Sequence, residues 1–144
     1  NCTIFPDAEF WELWSKFKKV NIQLSIDGTG ADFEYSRWPA VWNECYANIK
    51  QYQQMSKKLI KFHCAFIAGE NDREKDLVSM MSVISRSGIR GEFNIVRYNP
   101  FSDIQGKESP YIEQIKDIIC QYMDCKIIPR VGEDVYASCG TFLQ

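Results

Sequence analysis

Helix-period and strand-period segments alternate four times along this chain, and that alternation most limits the folds open to it. Residues 7–19 set Phe10, Leu13, Trp14 and Phe17 at helical spacing behind a Pro6-Asp7 start. Residues 20–26 place Val20, Ile22, Leu24 and Ile26 at every second position, closed by the breaker GTG at 28–30. A second helix is predicted over 39–54, with Val41, Cys45, Ile49 and Tyr52 on one stripe. A second strand follows over 59–67, ended by Ala68-Gly69. The third helix falls on 72–87, with Asp72 as N-cap, Leu77, Met80, Met81 and Ile84 buried, and Gly88 as C-cap. The third strand falls on 92–98. Ser109-Pro110 matches the pattern of a Ser N-cap before a Pro at the first helical position. The fourth helix then turns Ile112, Ile115, Ile119 and Tyr122 inward, and 125–128 forms a last short strand before a tail, 131–144.

An αβαβαβαβ order implies parallel strands joined by right-handed crossovers, hence the α/β class. An open doubly wound sheet and part of a barrel both fit. Four strands fall short of the eight of a TIM barrel, and the pattern alone leaves both open. No linker, repeat or low-complexity segment interrupts the 144 residues, so a single domain is expected. In either architecture function collects past the C-terminal ends of strands. Those ends fall on 25–28, 66–72 and 98–101, all rich in polar and turn residues.

Net charge is −2 with both signs mixed along the chain, and no basic run would by itself grip a phosphate backbone. No stretch approaches the roughly 20 apolar residues of a membrane span, and no signal peptide stands out. Of six cysteines, Cys45 and Cys64 sit in apolar-periodic segments, where a thiol behaves as a small hydrophobe. Reduced thiols and a cytoplasmic location are expected. Paired zinc spacings are absent, and the single histidine, His63, reads as a core residue in mid-strand. The start at Asn1, without Met, reads as a fragment or processed product.

Three stretches lie in order along the second half: 65–72 (AFIAGEND), 96–101 (VRYNPF) and 132–140 (GEDVYASCG). Together they resemble the ribosomal RNA adenine methyltransferases of the radical S-adenosylmethionine (SAM) superfamily, which modify carbon 2 or carbon 8 of adenine. The resemblance covers 59–142 and implies that the parallel sheet of alternating βα units is the C-terminal part of a partial TIM-like barrel. It implies that Cys139 accepts a methyl group from SAM and passes it on as a catalytic methyl carrier. It also implies SAM contacts at Asn99 and at Ser25, Ile26 and Asp27, and an RNA substrate, rRNA or tRNA, held mostly by regions outside this chain. The first half departs from that family. Residues 25–28 (SIDG) and 35–39 (YSRWP) are more similar to peptide-modifying radical SAM enzymes, with Asp27 where the methyltransferases have His. Residues 1–6 (NCTIFP) resemble the loop after the third barrel strand, which aligns a SAM-contacting position with Asn1.

Radical SAM chemistry needs a CxxxCxxC loop for a [4Fe–4S] cluster. The sequence has none, and Cys120 and Cys125 have the wrong spacing. The resemblance therefore implies a cluster held by residues outside this chain and an inactive fragment. Blander readings stand beside these. Cys139 could be a structural thiol and Asn99 a turn residue before Pro100. Residues 70–72 could be a turn and helix cap, and Trp11, Trp14, Trp38 and Trp42 packing residues. Modification of a peptide or small molecule, and a non-catalytic α/β binding domain, are the alternative functions.

Overall fold

The computed structural model describes residues 3–18, 20–56, 60–99 and 106–129. Four parallel strands, β1 (Ile22–Ser25), β2 (Ile60–Ala65), β3 (Gly91–Val96) and β4 (Cys125–Ile128), pair in the order β1-β2-β3-β4. Ile22 pairs with Ile60, Ile60 with Gly91, and Phe93 with Cys125. The helices are α1 (Ala8–Ser15), α2 (Ala31–Ser36), α3 (Trp42–Ser56), α4 (Glu74–Arg86) and α5 (Ile112–Cys120). The expected α/β class is observed.

The sequential strand order resolves what periodicity left open. Right-handed crossovers that all step the same way stack their helices on one face. The core agrees. Leu24, Phe62, Cys64, Phe93 and Ile95 pack in one cluster with Cys45 and Ile49 of α3, Leu77, Met81 and Ile84 of α4, and Ile115 and Ile119 of α5. On β2 the residues of the other face, Lys61, His63 and Ala65, stay half-exposed, which gives that strand its alternating burial. The sheet is singly wound, as in a barrel wall, and not doubly wound.

Glycine enters this packing at two points. Gly88 has φ +70 one residue past the C-cap Ser87, so it ends α4 as predicted. At Gly91 a Cβ would stand 2.6 Å from the Ile60 carbonyl oxygen and 2.9 Å from the Phe62 ring. A side chain there would push β3 off β2.

Several local expectations are corrected. Of the predicted stripe Phe10, Leu13, Trp14 and Phe17 in the first helix, only Trp14 packs against the core; Phe10, Leu13 and Phe17 face outward at 44%, 48% and 66% exposure. Trp11 packs beside Trp14, against Phe5 and Tyr52. Val41 is 44% exposed, and α3 begins at Trp42, past the cis Trp38-Pro39 bond. Helix α2 was not foreseen. Six residues are too few to show a period, and one side chain, Phe33, anchors it against Trp42 with ring centroids 5.2 Å apart. Arg73, not Asp72, occupies the N-cap position of α4, with no side-chain bond to the helix, and α5 starts at Ile112, after the predicted Ser109-Pro110 opening. Ser109 Oγ still accepts from the Tyr111 N–H at 3.2 Å, as the predicted cap requires, and at the same time donates to Asp72 Oδ2 at 2.7 Å.

Candidate functional site at the C-terminal edge of the sheet

The loops after β1 and β2 open a cleft of about 680 Å³ between α2 and α4, reaching Tyr98 beyond β3. Each wall is set by local bonds. Past β1, Asp27 Oδ2 accepts from Arg37 Nε at 2.5 Å, tying the strand end to the residue that caps α2. Past β2, the Asn71 side chain closes the loop on itself. Its Oδ1 accepts from Ile67 N at 2.8 Å and its Nδ2 donates to the Ala65 carbonyl at 2.9 Å. Asp72 Oδ1 accepts from Gly69 N at 2.8 Å. Past β3, Glu108 holds both Arg97 nitrogens at 2.7 and 2.5 Å and the Tyr98 N–H at 2.9 Å.

The cleft is acidic. Asp27, Asp32, Glu70 and Asp76 line it against Arg73 alone. Arg37 is paired to Asp27 and Arg73 to Asp76, each at 2.5 Å. Asp32 and Glu70 have no cationic partner among the described residues. Excess carboxylate in a walled cleft attracts cations, so its chemistry suits a ligand with an ammonium or sulfonium centre.

The predicted site residues separate on this scaffold. Asp27 lines the cleft. Ser25 ends β1 and pairs with His63. The Ile26 side chain is buried at 2% in the core, and its N–H donates to the His63 carbonyl, so contact by its side chain is ruled out in this state. Asn99 is half-buried and shares the C-terminal edge with Asp27, because β1 and β3 run parallel, yet it is Tyr98 that reaches the cleft. Cys139 and Asn1 lie outside the described residues. His63 was expected in the core. It occupies the face away from the helices, with Nε2 3.2 Å from Asn94 Nδ2.

Sequence reasoning missed Arg37, Asn71 as a loop clasp, and the carboxylates of α2 and α4. A charged residue after a strand end was the available signal at Arg37, but its partner is set by a helix the pattern did not reveal.

Among the described residues no three His, Cys, Asp or Glu side chains come together to hold a metal. The thiols of Cys45, Cys64, Cys120 and Cys125, none of them in a disulfide, sit on α3, β2, α5 and β4. These residues do not fit an iron–sulfur cluster. Burial pushes the Cys64 thiol well up, with the Asp27 charge adding and Arg37 opposing. Burial, with a smaller contribution from Cys120, pushes Cys125 up to about 12. Thiolates are the reactive form, so iodoacetamide on the native protein should label exposed Cys120 first of these four. Cys45 and Cys64 should react only after unfolding. Peptide mapping checks this, and Cys64 labelling as fast as Cys120 would contradict the packing of β2.

No helix among the described residues is long and apolar enough to cross a membrane. No protein-family model and no curated protein matches the sequence. Solved structures do. A radical SAM methyltransferase from Sphaerobacter thermophilus superposes with TM-score 0.76 at 17% identity, over 92% of this chain and 41% of that one. A domain of pyruvate-formate lyase-activating enzyme from Bacteroides vulgatus ATCC 8482 gives 0.66 at 12%, over 88% and 78%. The chain thus spans about two fifths of the first of these proteins. At such identities the likeness is one of fold: this chain has the parallel βα architecture found in a radical SAM methyltransferase and in a pyruvate-formate lyase-activating enzyme domain.

Proposed function

We propose that this chain is the SAM-binding, C-terminal part of a radical SAM methyltransferase that acts on adenine in RNA, with Cys139 as the methyl carrier. The acid-lined cleft at the C-terminal edge carries the reading. SAM brings a sulfonium and an ammonium, and the carboxylates of Asp32 and Glu70, which no cation neutralises among the described residues, would balance them. In this reading Asp27 and the Ile26 backbone meet SAM from one strand end. Ser25 and Asn99 act from the same edge of the sheet. Bound SAM would supply the methyl group that Cys139 receives. A [4Fe–4S] cluster would be held by residues outside this chain, so the chain alone would be inactive. RNA would be gripped mostly outside it as well, and the protein would work in the cytoplasm as one domain of a larger enzyme.

The same carboxylates favour a second reading, radical modification of a peptide, because they repel a phosphate backbone near the cleft. One experiment separates the two. The complete protein carrying this chain is produced with SAM and its cluster, then offered RNA and peptide substrates. The methyltransferase reading expects one extra methylene on the peptide containing Cys139, and methylated adenine that disappears in Cys139→Ala. An unmodified Cys139 with full methyl transfer by Cys139→Ala rejects it.

A further inference from the structure

Two thiols meet at the edge of the sheet opposite the cleft. Cys120 is the last residue of α5 and Cys125 the first of β4. Residues 121–124 between them turn tightly, because the Tyr122 and Met123 N–H groups both donate to the Ile119 carbonyl, at 2.9 and 3.1 Å. Cys125 is half-buried against the core, on the face that α5 covers, and its backbone is set by pairing with Phe93. Cys120 is exposed, and neither thiol is in a disulfide. The two side chains share a hydrogen bond, so the sulfurs lie within direct reach of each other.

The pair is asymmetric in the way a two-step oxidation needs. An oxidant meets exposed Cys120 first. The C-terminal end of α5 disfavours a thiolate there, and Lys116, one turn earlier on the same helix, favours it. The Lys116 charge also reaches Cys125, which places it beside both thiols. Cys125 is kept protonated, its pKa pushed up to about 12 mainly by burial and then by Cys120. It is therefore spared direct attack and is still present as a thiol when its partner has been oxidised.

We propose that Cys120 and Cys125 form a modification site for peroxides that closes to an intramolecular disulfide. Cys120 Sγ attacks the peroxide O–O bond, releases hydroxide and becomes a sulfenic acid, losing the electron pair that reduces the peroxide. Cys125 Sγ then attacks the Cys120 sulfur. The S–O bond breaks, the S–S bond forms, and the Cys125 proton leaves with the hydroxyl group as water. In sum, two thiols and one hydrogen peroxide become one disulfide and two waters. The closed site staples the end of α5 to the start of β4 and spares Cys120 from irreversible oxidation. Its chemistry is independent of the SAM reading of the cleft.

Cleavage by trypsin after Lys116 and Lys126 releases both residues in one peptide, Asp117–Lys126, with no other cysteine in it. The complete protein carrying this chain is treated with hydrogen peroxide, blocked with iodoacetamide and digested without reductant. The peptide is expected lighter by two hydrogens, free of added label, and restored by dithiothreitol. Oxidation of Met123 adds an oxygen and is told apart by mass. In Cys125→Ser the sulfenic acid at Cys120 has no partner, and dimedone should trap it. In Cys120→Ser, Cys125 should stay reduced. Glutathione buffers give a second measurement on the wild type alone, which decides the question even if a variant misfolds. The link should survive a buffer about tenfold more reducing in the folded protein than in the urea-unfolded chain, because a fold that a staple stabilises holds that staple by the same factor. Cys120 that stays reduced, passes to sulfinic acid or pairs with another cysteine overturns the proposal. So does a link that opens as easily in the folded protein as in the unfolded chain.

Discussion

Truncating Phe93 to alanine should cost about 3–5 kcal/mol of folding stability, the range for removing a large aromatic from a packed core. Phe93 is fully buried in β3, between β2 and β4. Its ring stacks near-parallel on Phe62 and Phe66, with centroids 6.2 and 6.4 Å away. Its backbone N–H bonds the Asp124 carbonyl at 2.8 Å, so the side chain is held by a sheet that cannot easily close over the void. The melting temperature should fall by roughly 10 °C or more for a chain of this size. Phe10→Ala provides the contrast. Phe10 is 44% exposed, and its loss should stay within about 0.5 kcal/mol. Thermal and urea melts of both variants check the difference. A Phe93→Ala cost under about 1 kcal/mol would mean the aromatic stack does not hold the sheet together.

Replacing Asn71 by alanine should both destabilise the protein and spoil the cleft. The side chain satisfies the Ile67 N–H and the Ala65 carbonyl at once and also reaches Cys64 Sγ at 3.7 Å. Leaving a buried backbone group unpaired costs about 1–3 kcal/mol, so a total near 2–4 kcal/mol is expected. Ala65 and Ile67 both line the cleft. On the proposed SAM-binding reading of the cleft, slack in that loop should weaken SAM binding about tenfold, equivalent to roughly 1.4 kcal/mol. Asn71→Asp keeps the acceptor for Ile67 and loses the donor to Ala65, and should fall between wild type and alanine. Denaturation midpoints and SAM titrations on the same samples test this. An alanine variant within 0.5 kcal/mol of wild type would show that the loop is held by something else.

Where apolar spacing was long and regular, the sequence was a sufficient guide. The buried faces Leu77, Met80, Met81, Ile84 and Ile112, Ile115, Ile119 are the predicted ones, and β4 spans the predicted 125–128. It misled where several apolar residues competed. In α1 a run of aromatics allows two overlapping stripes that share Trp14, and only contact with Phe5 and Tyr52 selects Trp11 over Phe10, Leu13 and Phe17. At Asp72 and Ser109 the cap chemistry was read locally. Ser109 Oγ serves the helix start and a distant carboxylate at once, and a separation of 37 positions hides that Asp72 and Ser109 meet.

By itself the sequence determined the α/β class, the order of elements and most of the core, because side-chain period is a property of consecutive residues. Tertiary structure alone decided that the strands lie in sequential order and so leave one face without helices. It brought Asp27, Asn71 and Tyr98 around one cleft and set His63 beside Asn94 on the open face. A histidine in a strand has the same neighbours in sequence whichever face it occupies. Its face is fixed by register with strands 31 or more residues away, and register follows from what the whole sheet can bury.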